Sequence, residues 1–153
     1  MARSLLKCFS MPRHASVLLI DDSPGERELF RKALMRTDLD VVLYSEQDAE
    51  AALHCLKHRP ELPSLILLDW HLRHERGDVF LRRLRSERRF AAIPVVAFTT
   101  SDEVADLSVA YANAVNGYVV KPDTFEDLVQ CVEDICRYWL TRNRTPYPVE
   151  TPC

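Results

Sequence analysis

The chain has 153 residues, 47% of them apolar and 28% charged, a composition that folds as one globular domain and excludes a disordered or fibrous chain. Its formal charge of −3 excludes nucleic-acid binding through bulk charge. That small sum conceals an asymmetry, because residues 71–90 carry seven arginines against three acids, a local +4 that leaves −7 for the rest.

Short apolar runs alternate with segments of helical period, five times over. Residues 16–21 (SVLLID) read as a strand buried on both faces, because the apolar residues are contiguous. Ser23-Pro24 starts a helix to about Arg36, with Leu29, Phe30, Ala33 and Leu34 on one face. A second strand at 41–44 leads into a helix at 48–58, closed by Pro60 and Pro63. The third strand is LILLD at 65–69, and after a polar loop Gly77-Asp78 opens a basic helix to about Arg89. Pro94 introduces the fourth strand (VVAF, 95–98), and Thr99-Thr100-Ser101-Asp102 is expected to cap a helix to Ala114. Asn116-Gly117 turns into the fifth strand (YVV, 118–120), and a last helix is expected from Thr124 to about Thr141. Five strands each separated by a helix make a (βα)5 doubly wound parallel sheet, an α/β fold.

Five cysteines (Cys8, Cys55, Cys131, Cys136, Cys153) form an odd set without a CxxC pair, which reads as reduced thiols of a cytoplasmic protein. No apolar run approaches the roughly 18–20 residues that span a membrane. The first residues are too weakly apolar for a signal peptide, and Met11 is a second candidate start.

In doubly wound sheets ligands sit at the carboxyl ends of the strands, near the point where strand order reverses. Those ends carry Asp21-Asp22 after the first strand, Asp69 after the third, Thr99 after the fourth and Lys121 after the fifth. With strand order 2-1-3-4-5 the three carboxylates converge, and three ionised carboxylates a few ångströms apart repel strongly. Either a proton is trapped among them or a divalent cation is bound, and an all-oxygen ligand set favours Mg²⁺. Such a cation lets a carboxylate act as a nucleophile on phosphate, with Thr99 as a hydrogen-bond donor and Lys121 as the opposing cation. Each residue alone has a plain structural reading, as a helix cap or a turn. Their conjunction at one sheet edge does not.

The stretches VLLIDDSPGERELF, LILLDWHL followed by Gly77, IPVVAFTTS and GYVVKP together resemble the receiver domains of two-component response regulators, over about residues 15–140. The resemblance implies a flavodoxin-like receiver at residues 15–141, an N-terminal arm at 1–14 and a C-terminal tail at 142–153. It implies Mg²⁺-dependent phosphoryl transfer from a sensor histidine kinase onto Asp69, with Asp22 and Asp69 as direct ligands. Asp21 acts through a water, and the backbone carbonyl of His71 completes the protein ligands. Thr99 and Tyr118 match the switch pair, and Lys121 matches the phosphate-contacting lysine. His71 and Ser101 stand where side chains tune dephosphorylation, and small Thr100 leaves phosphate access open. Phosphorylation is expected to draw Thr99 in and let Tyr118 turn inward. Two departures, Arg73 where a proline is usual and Arg76 where an aspartate precedes the glycine, add positive charge beside the site.

The implied protein is a stand-alone switch whose only chemistry is self-directed, signalling through a downstream protein and not through nucleic acid or membrane; a phosphorylation-independent adaptor is the alternative. The arginine-rich helix 77–89 is read as a solvated face or a docking surface for an acidic partner. His54 and His58 have metal-ligand spacing but lack the acid of a HExxH site, and His71 with His74 is a weak second pair. A haloacid-dehalogenase-type phosphatase needs a second acid two residues past the nucleophile, where His71 stands. On the last helix, Cys131, Ile135 and Tyr138 widen the apolar face beyond Phe125, Leu128, Val129, Val132, Cys136 and Trp139, which suggests self-association. This ending is similar to that of single-domain regulators paired with bacterial phytochrome kinases, which implies a bacteriophytochrome partner and a homodimer through the last helix and tail.

Overall fold

Side chains on a strand alternate between faces, so a sheet covered on both sides sorts each apolar run into two cores. In the computed structural model, which describes residues 15–146, β1 (Ala15–Ile20) sends Leu18 and Ile20 to one core and Val17 and Leu19 to the other. β3 (Leu65–Leu68) divides likewise, Ile66 and Leu68 against Leu65 and Leu67, and all four side chains are fully buried. β2 (Val41–Glu46), β4 (Val95–Thr99) and β5 (Gly117–Val120) complete a parallel sheet in the order 2-1-3-4-5, as expected. β2 is an edge strand and mostly half-buried, which its contiguous apolar run did not foretell. Cys8, Cys153, Met11, the arm 1–14 and the end of the tail lie outside the described residues.

Helices α1 (Pro24–Met35) and α5 (Phe125–Arg137) cover one face, with Phe30, Ala33, Leu34, Val132, Ile135 and Cys136 buried there. α2 (Ala49–His58), α3 (Gly77–Ser86) and α4 (Val104–Ala112) cover the other through Leu53, Leu56, Phe80, Leu81, Leu84 and Ala110. Each fully buried Leu or Phe contributes about 1.5–3 kcal/mol relative to an exposed one. Caps act where the sequence places them in three helices: Ser23 accepts from the Glu26 N–H, Asp48 from Ala51 and Thr124 from Asp127.

β2 runs two residues further than expected, to Glu46, and four helix ends differ from expectation. α3 stops at Ser86, and a turn closed by the Phe90 N–H on Glu87 O replaces the last expected turn. α4 begins at Val104, and its N-cap Glu103 makes no side-chain cap bond; the Ser101 hydroxyl accepts from the Glu103 N–H at 3.4 Å and donates to Asp106. Its far end is Ala112, since Ala114 takes a left-handed φ of 65° that breaks the helix. α5 ends at Arg137 and passes into a π-helical turn, Tyr138–Arg142, which seats Trp139 against Gly117 of β5.

The apolar surplus expected on α5 is largely consumed within the fold. Ile135 is buried, Cys131 packs against the same core, and Tyr138, 53% exposed, is what remains outside. Burial pushes the Cys136 thiol up to about 12 and raises Cys131 as well, so both act as small core side chains.

Candidate functional site

Register assembles the site. Ile20 pairs with Leu68 and Thr99 with Val120, so Asp21 and Asp69 leave the sheet side by side and Lys121 follows one step beyond Thr99. The Asp69 N–H donates to Ile20 O at 2.9 Å and the Lys121 N–H to Thr99 O at 2.8 Å, which extends the pairing to the site residues. One carboxylate oxygen each of Asp21, Asp22 and Asp69 lie within 4.8 Å of one another.

Lys121 is the counter-charge. Its Nζ donates to Asp21 Oδ2 at 2.6 Å and stands 3.6 Å from Glu26 Oε2 and 3.9 Å from Asp69 Oδ2, with a side chain only 7% exposed. Burial opposes the lysine's charge, but the hydrogen bond and the charge of Asp21, with those of Asp69 and Glu26, hold its ammonium above the ordinary value. Burial also dominates at Asp69 and raises its carboxyl above the usual range. The charge of Lys121 opposes that rise, Asp21 adds to it, and the His71 N–H and Thr99 hydroxyl pull the carboxyl back down. One lysine against three converging acids leaves negative charge uncompensated.

The donor set fits a small, hard cation. Both oxygens of Asp21 are engaged, Oδ1 by the Ser23 N–H at 2.9 Å and Oδ2 by Lys121, which suits a role through water. Asp22 is half-buried and takes no hydrogen bond among the described residues, and Asp69 Oδ1 accepts only a long bond, 3.3 Å, from the His71 N–H. These two carboxylates are the ones free to bind metal directly.

Thr99 is buried at the end of β4 beside Asp69, and Thr100 is exposed. The Tyr118 hydroxyl donates to Ser101 O at 2.8 Å, and its partly buried ring packs against the core. Ser101 and His71, expected as tuning residues, both reach Asp106: the Ser101 hydroxyl donates to Oδ2 at 2.6 Å, and His71 Nε2 lies 2.6 Å from the same oxygen. Arg76 adds an ion pair to Oδ1 at 3.4 Å. His71 is thus not an unattached loop side chain.

Sequence reasoning missed Asp106, Glu26 and Arg27, whose Nη1 donates to Asp21 O at 2.6 Å. The one available signal for Asp106 was its i, i+4 spacing to Ala110, which puts the acid on the core-facing side of α4. The rings of His54 and His58 stand 4.1 Å apart, with His58 Nδ1 on His54 O. Among the described residues the group of three or more potential metal ligands is the aspartate trio.

Comparison with known proteins agrees with this geometry. The Response regulator receiver domain profile matches residues 17–133. The "Probable methanogenesis regulatory protein FilR2" of Methanothrix harundinacea is 38% identical over 136 residues, covering 86% of this chain and 88% of its own. Response regulator Rcp1 of Synechocystis sp. is 32% identical, covering 81% of this chain and 88% of its own. The Mn²⁺-bound crystal structure of Rcp1 superposes with a TM-score of 0.76 at 30% identity, over 87% of this chain and 99% of that one. The phosphorylated cyanobacterial phytochrome response regulator RcpA superposes with a TM-score of 0.80 at 27% identity, over 88% and 99% of the two chains. With the strand order, the acidic trio and the lysine in place, these matches establish that the chain belongs to the response regulator receiver family.

Proposed function

We propose that the chain is a phosphorylation switch: Asp69 accepts a phosphoryl group from a phosphohistidine of a sensor kinase in a Mg²⁺-dependent reaction, and the modified protein signals through protein contacts. The observation that carries this is the uncompensated acidic trio, with Asp22, unpartnered among the described residues, and Lys121 both close to Asp69. Asp22, Asp69 and the His71 carbonyl, with Asp21 through a water, would hold Mg²⁺, which would supply the charge screening that an anionic carboxylate needs to approach an anionic phosphoryl group. An Asp69 oxygen attacks phosphorus, the bond from phosphorus to the histidine nitrogen breaks, and the imidazole leaves. Lys121 and the Thr99 hydroxyl then hold the phosphoryl oxygens. Hydrolysis of the same acyl phosphate resets the switch, so the chemistry is confined to the protein's own side chain. Mg²⁺ with beryllofluoride, a phosphoryl mimic, tests the reading. It is expected to perturb the amide spectra of Thr99, Ser101 and Tyr118, whereas an unchanged spectrum leaves a phosphorylation-independent adaptor.

A phytochrome kinase is the partner this reading favours, supported by the likeness to RcpA, and the setting is the cytoplasm. No helix among the described residues is long and apolar enough to cross a membrane. Self-association runs through exposed Tyr138 and the following turn and tail, where Tyr138 meets Trp139 edge-on at 5.1 Å. Sedimentation at tens of micromolar checks this. The full chain is expected to dimerise and a chain truncated after Arg137 to remain monomeric; a monomer in both cases contradicts it.

A further inference from the structure

Asp106 is a buried acid, 5% exposed, that three side chains from outside α4 converge on. His71 Nε2 and the Ser101 hydroxyl each lie 2.6 Å from its Oδ2, and Arg76 Nη2 lies 3.4 Å from Oδ1. A buried carboxylate without partners is costly, and these three donors offset that cost. The contacts also join two loops. His71 and Arg76 are bridged backbone to backbone in the loop that leaves Asp69, and Ser101 lies in the loop that leaves Thr99. Ser101 in turn reaches both switch residues, with its N–H 3.4 Å from Thr99 Oγ1 and its carbonyl accepting the Tyr118 hydroxyl. Arg76, one of the two departures from the family pattern, gives Asp106 a cation that the usual aspartate does not supply.

We infer that Asp106 is a positioning residue that clasps the two loops beside Asp69 and, by keeping the His71 ring and the Ser101 hydroxyl to itself, lengthens the life of the phosphoryl group. The inference rests on the phosphorylation reading above. In the resetting step a water oxygen attacks phosphorus opposite Asp69, the bond from phosphorus to the Asp69 oxygen breaks, and its electron pair returns to the carboxylate. The water's protons remain with the inorganic phosphate or pass to solvent. Orienting that water needs a polar side chain reaching the phosphoryl group from a neighbouring loop, and His71 Nε2 and Ser101 Oγ, on the two loops that leave Asp69 and Thr99, are both bonded to Asp106. Opening the clasp frees them and loosens the two loops.

The test follows loss of the phosphoryl group by intact mass, after removal of a small phosphodonor, in the wild type, Asp106→Ala, His71→Ala and the double variant. Asp106→Ala is expected to speed hydrolysis about threefold or more, a coupling of the size found between contacting side chains. In the His71→Ala background the same substitution is expected to change the rate by less than half that factor. Asp106→Asn keeps an oxygen for His71 and Ser101, and its rate is expected near the wild-type value. Should Asp106→Ala not fold, Asp106→Ser, too short to reach His71, takes its place in the cycle. An unchanged or slower rate on opening the clasp overturns the inference. So does an equal factor with and without His71, which marks Asp106 as structural only. A wild type that takes up no phosphoryl group overturns the proposed function itself, whereas labelling with either of the other results overturns the clasp alone.

Discussion

Lys121 and Gly77 show how single residues set the terms of the site. The lysine is the counter-ion of a buried acidic group, bonded to Asp21 at 2.6 Å, and removing it leaves that charge uncompensated. Lys121→Ala is expected to destabilise the metal-free protein by about 3–5 kcal/mol in urea unfolding. Added Mg²⁺ is expected to restore more stability to the variant than it adds to the wild type, because it binds the folded trio. Equal Mg²⁺ effects in the two proteins contradict this account of the lysine. Gly77 opens α3 directly beneath the Trp70 indole, where an added Cβ meets Trp70 Cε3 at 2.5 Å. Alanine ordinarily favours a helix over glycine. Here Gly77→Ala is expected to cost about 1–3 kcal/mol in thermal or urea unfolding, because the buried indole next to Asp69 has no room to move. Stabilisation by that substitution overturns the packing argument. At this scale the sequence reading located Asp21, Asp22, Asp69, Thr99 and Lys121, since each directly ends a strand whose apolar run marks its place. It did not reach Asp106, because an acid in the first turn of a helix is ordinarily solvated and favoured there by the helix dipole, and its spacing to Ala110 was the one contrary signal.

Among the elements, α4 departs most from its sequence. The Thr-Thr-Ser-Asp run looks like a cap, yet the helix starts later, with Glu103 at its N-cap and no side-chain cap bond, while the Ser101 hydroxyl bonds both the Glu103 N–H and Asp106. At the other end Ala114, rather than a glycine, adopts φ 65°, a left-handed conformation that a Cβ disfavours. Ala114→Gly is expected to stabilise the fold by about 0.5–1 kcal/mol in thermal unfolding, the reverse of the usual penalty for glycine near a helix. A loss of stability contradicts this reading of the helix end. Strand positions were legible because contiguous apolar runs bounded by Pro, Gly and Asp have one reading in a parallel sheet. Helix ends were less legible, since they depend on tertiary contacts: Trp139 seated on Gly117 ends α5 in a π-helical turn that no local signal announces.

Across the whole molecule, part of the local +4 of residues 71–90 also ties elements together, while Arg73, Arg76, Arg82, Arg88 and Arg89 remain exposed. Arg85 donates to Ala91 O and Ile93 O and to Asn116 Oδ1. Arg89 reaches the carbonyls that end α2, and Arg83 pairs with Glu50 at 2.7 Å and Glu75 at 3.1 Å. The arginines tie α3 and the turn after it to α2 and to the approach to β5, while the acids of Asp21, Asp22 and Asp69 gather on the adjacent sheet edge. Composition alone reveals neither arrangement; strand order and register do, by bringing residues 21 and 69 together and 121 within reach of both. The central claim is that this edge makes Asp69 a metal-dependent phosphoacceptor. The most direct measurement is peptide mapping by mass spectrometry after incubation with acetyl phosphate, with and without Mg²⁺, on the wild type and Asp69→Asn. The account predicts one base- and hydroxylamine-labile phosphoryl group on Asp69 of the wild type, formed with Mg²⁺ and not formed with EDTA or in Asp69→Asn. A phosphoryl group on another residue, or none on Asp69 in the presence of Mg²⁺, would contradict it.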